Sequence, residues 1–109
     1  MDNTICITKG KQYSRSKPIK EAIILINQLY LEGHCIKIFT SRYMGRNKDN
    51  IKKAYKQGYQ FTHKQLKSWG LNFHRLYMGK PSFDFFVDDR AIGCKKNLPS
   101  LIRKILKKK

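Results

Sequence analysis

The sequence predicts a Rossmann-like α/β domain, a parallel sheet flanked by helices, and three observations carry that prediction. Apolar residues recur at helical spacing over residues 19–30, followed at once by a short apolar run at 35–39. Helical and strand-like stretches then alternate to the end of the chain, the pattern of βαβ units. Finally, Asp88-Asp89 closes the apolar run Phe85-Phe86-Val87 in a chain with 24 Lys and Arg against 7 Asp and Glu, and Lys80 lies eight residues upstream. Adjacent carboxylates repel and favour a cation between them. At the carboxyl end of a strand such a pair suits Mg²⁺ and phosphate.

The elements follow in order. Ile19, Ala22, Ile23, Ile26, Leu29 and Tyr30 form one helical stripe, with Pro18 as the expected first helical residue and Gly33 as the stop. Residues 35–39 read as a buried strand ending at Thr40-Ser41-Arg42, and residues 43–50 as a polar loop. Residues 51–55 read as a short helix ended by Gly58. Thr62-His63-Lys64-Gln65 matches a capping box, opening a second short helix that holds Leu66 and Trp69 and stops at Gly70. Residues 72–77 read as a second strand and 85–87 as a third. Beyond Gly93, the residues Leu98, Leu101, Ile102, Ile105 and Leu106 make the core stripe of a closing helix. The sheet needs a strand ahead of the first helix, yet the chain opens at Met1-Asp2-Asn3-Thr4.

With 109 residues, 40% hydrophobic and 12% aromatic, the chain reads as one globular domain over 1–109. No apolar run reaches the roughly 18 residues that span a bilayer, so no membrane association is expected, and the N-terminus lacks the basic-then-apolar pattern of a signal peptide. Cys6, Cys35 and Cys94 are odd in number and outside any C-x-x-C pattern, which fits reduced thiols in a cytoplasmic protein and argues against a zinc site. The net charge of +17 invites a nucleic-acid reading. Its spread along the whole chain, with a dense block only at Lys107-Lys108-Lys109, argues for a solvated Lys-rich surface that steers anionic substrates instead.

Asp2, Thr40, Lys80, Asp84, Asp88 and Asp89 all fall where carboxyl ends of parallel strands would converge. Carboxylates for Mg²⁺, a hydroxyl and an ammonium are what phosphoryl transfer requires. On Asp2-Asn3-Thr4-Ile5-Cys6, Thr40-Ser41-Arg42, Leu66-Lys67-Ser68-Trp69-Gly70, Gly79-Lys80-Pro81 and Asp88-Asp89-Arg90, the chain resembles the haloacid dehalogenase (HAD) superfamily of phosphohydrolases. The similarity runs over nearly the whole length and is greatest to the small capless members found with capsule and lipopolysaccharide sugar biosynthesis.

The resemblance implies Mg²⁺-dependent hydrolysis of a small phosphomonoester, such as a sugar phosphate, with a partner subunit or fused domain supplying specificity. It implies that Thr40 hydrogen-bonds the phosphoryl group, with Ser41 and Arg42 beside it in the substrate site. Lys80 would hold nucleophile and phosphate, and Asp88 with Asp89 would bind Mg²⁺. Asp2 would be the acid/base, its backbone carbonyl reaching the metal, and Thr4 would brace the loop. The family's nucleophilic Asp stands two residues before the acid/base, a position ahead of Met1, and its strand is central in the sheet. Three expectations compete: Met1 is internal to a longer protein, the chain binds phosphate without turnover, or the register shifts so that Asp2 is the nucleophile and Thr4 takes the acid/base place. For the 109 residues as they stand, no Mg²⁺-dependent phosphate release from p-nitrophenyl phosphate is expected.

Among other candidates, His34 reads as a turn residue, His63 as exposed, and His74 as either core or crevice. Trp69 reads as core, Asp84 as orienting Lys80, and Arg90 as pairing with Asp89. Arg42 and Arg46 read equally as grips for a phosphate or sugar and as members of a solvated loop.

Overall fold

The computed structural model describes residues 1–92 and 102–103. Strand β1 (Cys6–Ile7) and strand β2 (Lys17–Pro18) form an antiparallel hairpin with Cys6 opposite Pro18 and Ile7 opposite Lys17. Helix α1 (Lys20–Leu31) leads into strand β3 (Lys37–Phe39), and helix α2 (Ile51–Ser68) crosses over to strand β4 (Arg75–Tyr77). Strands β3 and β4 are parallel, with Ile38 opposite Leu76. The result is an α/β architecture with two helices and two small sheets among the described residues, one of them parallel. A parallel pair needs a crossover, and α2 supplies it.

Alternation decides which faces pack. Ile38 and Leu76 are buried while their neighbours Lys37, Phe39, Arg75 and Tyr77 are exposed. The inward pair meets Ala22 and Ile23 of α1, Leu66 of α2, and Ile5, Leu71 and Phe73, with Ile26 and Trp69 at the edge of the cluster. Leu66 is wholly enclosed, and burying such a side chain stabilises by about 2–3 kcal/mol.

Both helices end as their glycines predict. After α2, the Gly70 N–H donates to the Lys67 carbonyl (3.0 Å) and the Leu71 N–H to the Leu66 carbonyl (3.2 Å). This is a Schellman closure, and it needs the left-handed backbone that Gly70 adopts at φ +76°. The same pair of bonds closes α1, from Gly33 to Tyr30 and from His34 to Leu29.

Several expectations are corrected. Pro18 lies in β2, and α1 begins at Lys20. The two short helices predicted over 51–69 are one helix of 18 residues, capped by the Asn50 side chain, which accepts from the Lys53 N–H (3.1 Å). Gly58 does not break it, because Tyr43 presses its ring into the notch: a Cβ at Gly58 would overlap that ring. Thr62 is therefore no cap but a buried residue inside α2, and Gln65 turns inward rather than back toward it. The strands at 35–39 and 72–77 shrink to Lys37–Phe39 and Arg75–Tyr77.

The predicted strand at 85–87 is not a strand. Phe85 and Val87 are 89% and 94% exposed, since no described strand lies alongside to offer a ladder of N–H and C=O groups. The predicted closing stripe lies outside the described residues apart from Ile102 with its neighbour Arg103, which are helical. Cys94 and the terminal lysine block lie outside them too.

Candidate functional site

The parallel pairing of β3 and β4 brings their carboxyl ends side by side. The Thr40 N–H donates to the Tyr77 carbonyl (3.0 Å), and the Lys80 N–H donates to the Thr40 carbonyl (3.2 Å). Thr40 and Lys80 are thus backbone neighbours. The first loop reaches the same end: the Met1 carbonyl accepts from the N–H groups of Thr4 and Ile5, and a bridge links Asp2 to Cys6.

Between these parts opens a cleft of about 1030 Å³, lined among others by Asp2, Thr4, Lys80, Asp84 and Asp88. Its other wall is apolar, formed by Phe83, Phe85, Phe86 and Val87. The Lys80 ammonium lies 5.2 Å from the ring centres of both Phe83 and Phe86, a cation–π arrangement that holds it at the mouth of the cleft. Asp88 is exposed, and the Arg90 N–H on its carboxylate (2.8 Å) holds that carboxyl below its ordinary range. Thr40, Ser41, Arg42 and Asp89 do not line the cleft.

Thr40 and Arg42 are instead turned inward. The Thr40 hydroxyl accepts from the Arg42 N–H (3.1 Å), a local turn that directs the arginine side chain into the protein. There Arg42 is fully buried and grips Asp2: Nε lies 3.0 and 2.9 Å from the two carboxylate oxygens, and NH2 lies 2.8 Å from Oδ1. The remaining donors meet Ser16 Oγ (3.1 Å) and Gln65 Oε1 (2.7 Å), and the Tyr13 ring stacks 4.6 Å from the guanidinium carbon. Thr8 Oγ1 also donates to Asp2 Oδ1 (2.7 Å), and the Gln65 amide donates to the Tyr13 carbonyl (2.7 Å). Burial pushes the Asp2 carboxyl up, but the Arg42 and Thr8 hydrogen bonds and the Arg42 charge outweigh it and hold the group below its ordinary value. Burial pushes the neighbouring Cys6 thiol up, so that sulfur stays protonated at neutral pH.

Mg²⁺ places a demand on the donors that this arrangement does not meet. Both Asp2 oxygens are taken by Arg42, Asp88 gives one oxygen to Arg90, and no group of three or more His, Cys, Asp or Glu among the described residues is placed to hold a metal ion. A hard cation of this kind takes about six oxygen donors, several of them water.

The sequence reading missed Ser16, Gln65 and Tyr13 as partners of Arg42, and Thr8 as a partner of Asp2. A signal existed: an arginine directly after a buried strand end needs acceptors for five N–H groups. The three histidines take structural places. His34 is exposed in the turn, His63 is half-buried edge-on to Phe73, and His74 is exposed, stacked on Tyr30 and accepting the Ile36 N–H at Nδ1 (3.0 Å).

The whole chain superposes on a crystal structure of a structural-genomics target from Vibrio cholerae, with a TM-score of 0.81 and 22% sequence identity, covering 94% of that chain. At that identity the likeness is one of fold. No family model and no curated protein matches the chain.

Proposed function

We propose that the cleft is a phosphoryl-binding site and the chain a phosphomonoester hydrolase of the HAD type on a Rossmann-like core, with a Mg²⁺ site that the described residues alone do not complete. One observation carries this reading: Asp2 lines a single cleft with Lys80 and Asp88, both far from it in sequence, at the carboxyl ends of parallel strands. The substrate class follows from the resemblance, a small sugar phosphate of surface-polysaccharide synthesis handled in the cytoplasm. Lys80 is the charge that would draw and hold the phosphate, and Asp88 with Asp89 are the acids that would meet a metal, Asp88 with the oxygen that Arg90 does not hold. Asp2 is committed to Arg42.

That commitment favours a second reading, a phosphate-binding module without turnover. An acid/base must exchange protons, and a carboxylate held low by a buried guanidinium does so poorly near neutral pH. The two readings separate in one assay of phosphate release from a hexose phosphate with and without Mg²⁺. It is run on the 109-residue chain and on the chain extended by any in-frame codons preceding Met1. Mg²⁺-dependent release by the extended chain, lost in Lys80→Ala, supports the hydrolase. Phosphate binding with no release from either chain supports the module, and the absence of both contradicts the site.

A further inference from the structure

The β1–β2 hairpin has two faces of opposite chemistry. Cys6, Thr8 and Ser16 point inward to Asp2 and Arg42, and Ser16 and Thr8 hydrogen-bond each other (2.5 Å). Ile7, Lys9, Arg15 and Lys17 are exposed on the other side. The register sets Ile7 against Lys17, so Lys9 and Arg15 follow on the same face, where the strands diverge around the 3₁₀ turn Tyr13–Arg15.

These outward residues, with Gln12, line a concavity of about 490 Å³ that shares no residue with the cleft holding Lys80. Three cations converge there. Like charges facing one another across a hairpin are destabilising. No Asp or Glu occurs between Cys6 and Pro18, and the Asp2–Arg42 ion pair is the only one among the described residues. The inner-face network fixes the hairpin, so the cations are held close without a counter-charge.

We propose that this outer face is an anion site for a small organic molecule carrying two or more adjoining negative charges, of the diphosphate type. Arg15 offers a planar fork for one anionic group, Lys9 and Lys17 offer point charges for the next, and Gln12 adds a neutral donor. Ile7, 57% exposed, gives the uncharged part of the ligand an apolar floor. The concavity falls in the size range of small-molecule pockets, about 300–1,000 Å³.

Calorimetric titration of the whole chain with pyrophosphate, and separately with adenosine diphosphate, tests the proposal. The expected result is saturable one-to-one binding of both, tighter for the nucleotide. The Arg15→Gln/Lys17→Gln variant should weaken it about tenfold or more through loss of two charge-assisted contacts. Lys52→Gln/Lys56→Gln removes the same charge from the exposed face of α2 and should leave the affinity within about twofold, screened by distance. Equal weakening in both double variants would overturn the proposal in favour of diffuse attraction. Loss in Lys80→Gln alone would overturn it in favour of the cleft, and so would absence of binding at millimolar ligand. All the substituted residues but Lys80, which is half-buried, are exposed, and a thermal midpoint no lower than that of the native chain confirms for each variant that folding is intact.

Discussion

Arg42 and Asp2 lie forty positions apart and yet form the most heavily bonded side-chain contact among the described residues. A guanidinium with no exposure is tolerable only because each of its nitrogens meets an acceptor, whether Asp2, Ser16 or Gln65. Removing one partner strands the other. Arg42→Ala and Asp2→Asn should therefore each lower the unfolding free energy by about 3–5 kcal/mol, the cost of an uncompensated buried charge or its unpaired acceptors. Chemical denaturation checks this, and a double variant that loses much less than the sum confirms direct coupling. The pH dependence has a fixed sign. The folded-state pKa of Asp2 lies below its ordinary 3.8, so its contribution is fully present above about pH 4 and disappears as pH falls through the folded value. The stability difference between the native chain and Asp2→Asn should be constant from neutrality down to about pH 5 and shrink below pH 4. The sequence reads Asp2 as an acid/base and Arg42 as either a phosphate grip or a member of a solvated loop, not as partners of each other. That they face each other depends on the Thr40 turn, a three-dimensional fact that spacing does not encode.

Helix α2 shows how local signals yield to packing. Gly58 costs an isolated helix about 1 kcal/mol against Ala, and Thr-x-x-Gln marks a start, so two short helices were the consistent local reading. The ring of Tyr43, itself at φ +67°, fills the space above Gly58 and ties the loop after β3 to the helix across that position. Gly58→Ala should consequently destabilise the protein rather than gain the usual helix increment, and Asn50→Ala should cost about 1 kcal/mol through loss of the cap. Thermal melts of the two variants test both, and a raised midpoint for Gly58→Ala would contradict the contact with Tyr43. Where an element is defined by its own residues, the reading was sound: the stripe of α1, the Gly33 and Gly70 stops and the apolar centre of β3 are all present. The segment at 85–87 has the composition of a buried strand without a described neighbour, and composition alone does not supply one.

For the molecule as a whole, charge and site point the same way. A net charge of +17 with one ion pair among the described residues leaves the surface self-repelling, so the thermal midpoint should rise as salt is raised from about 10 mM to 150 mM and the screening length shortens. The same field draws anions toward a cleft that Lys80, set against the Phe83–Phe86 ring pair, lines together with Asp2 and Asp88. The central claim is that this cleft receives a phosphoryl group, and its most direct test is residue-resolved nuclear magnetic resonance of the isotope-labelled chain titrated with orthovanadate in the presence of Mg²⁺. The account predicts amide shifts clustered at Thr4, Lys80 and Asp88 that disappear in Lys80→Ala. Shifts absent from those residues, or unchanged by that substitution, would contradict it.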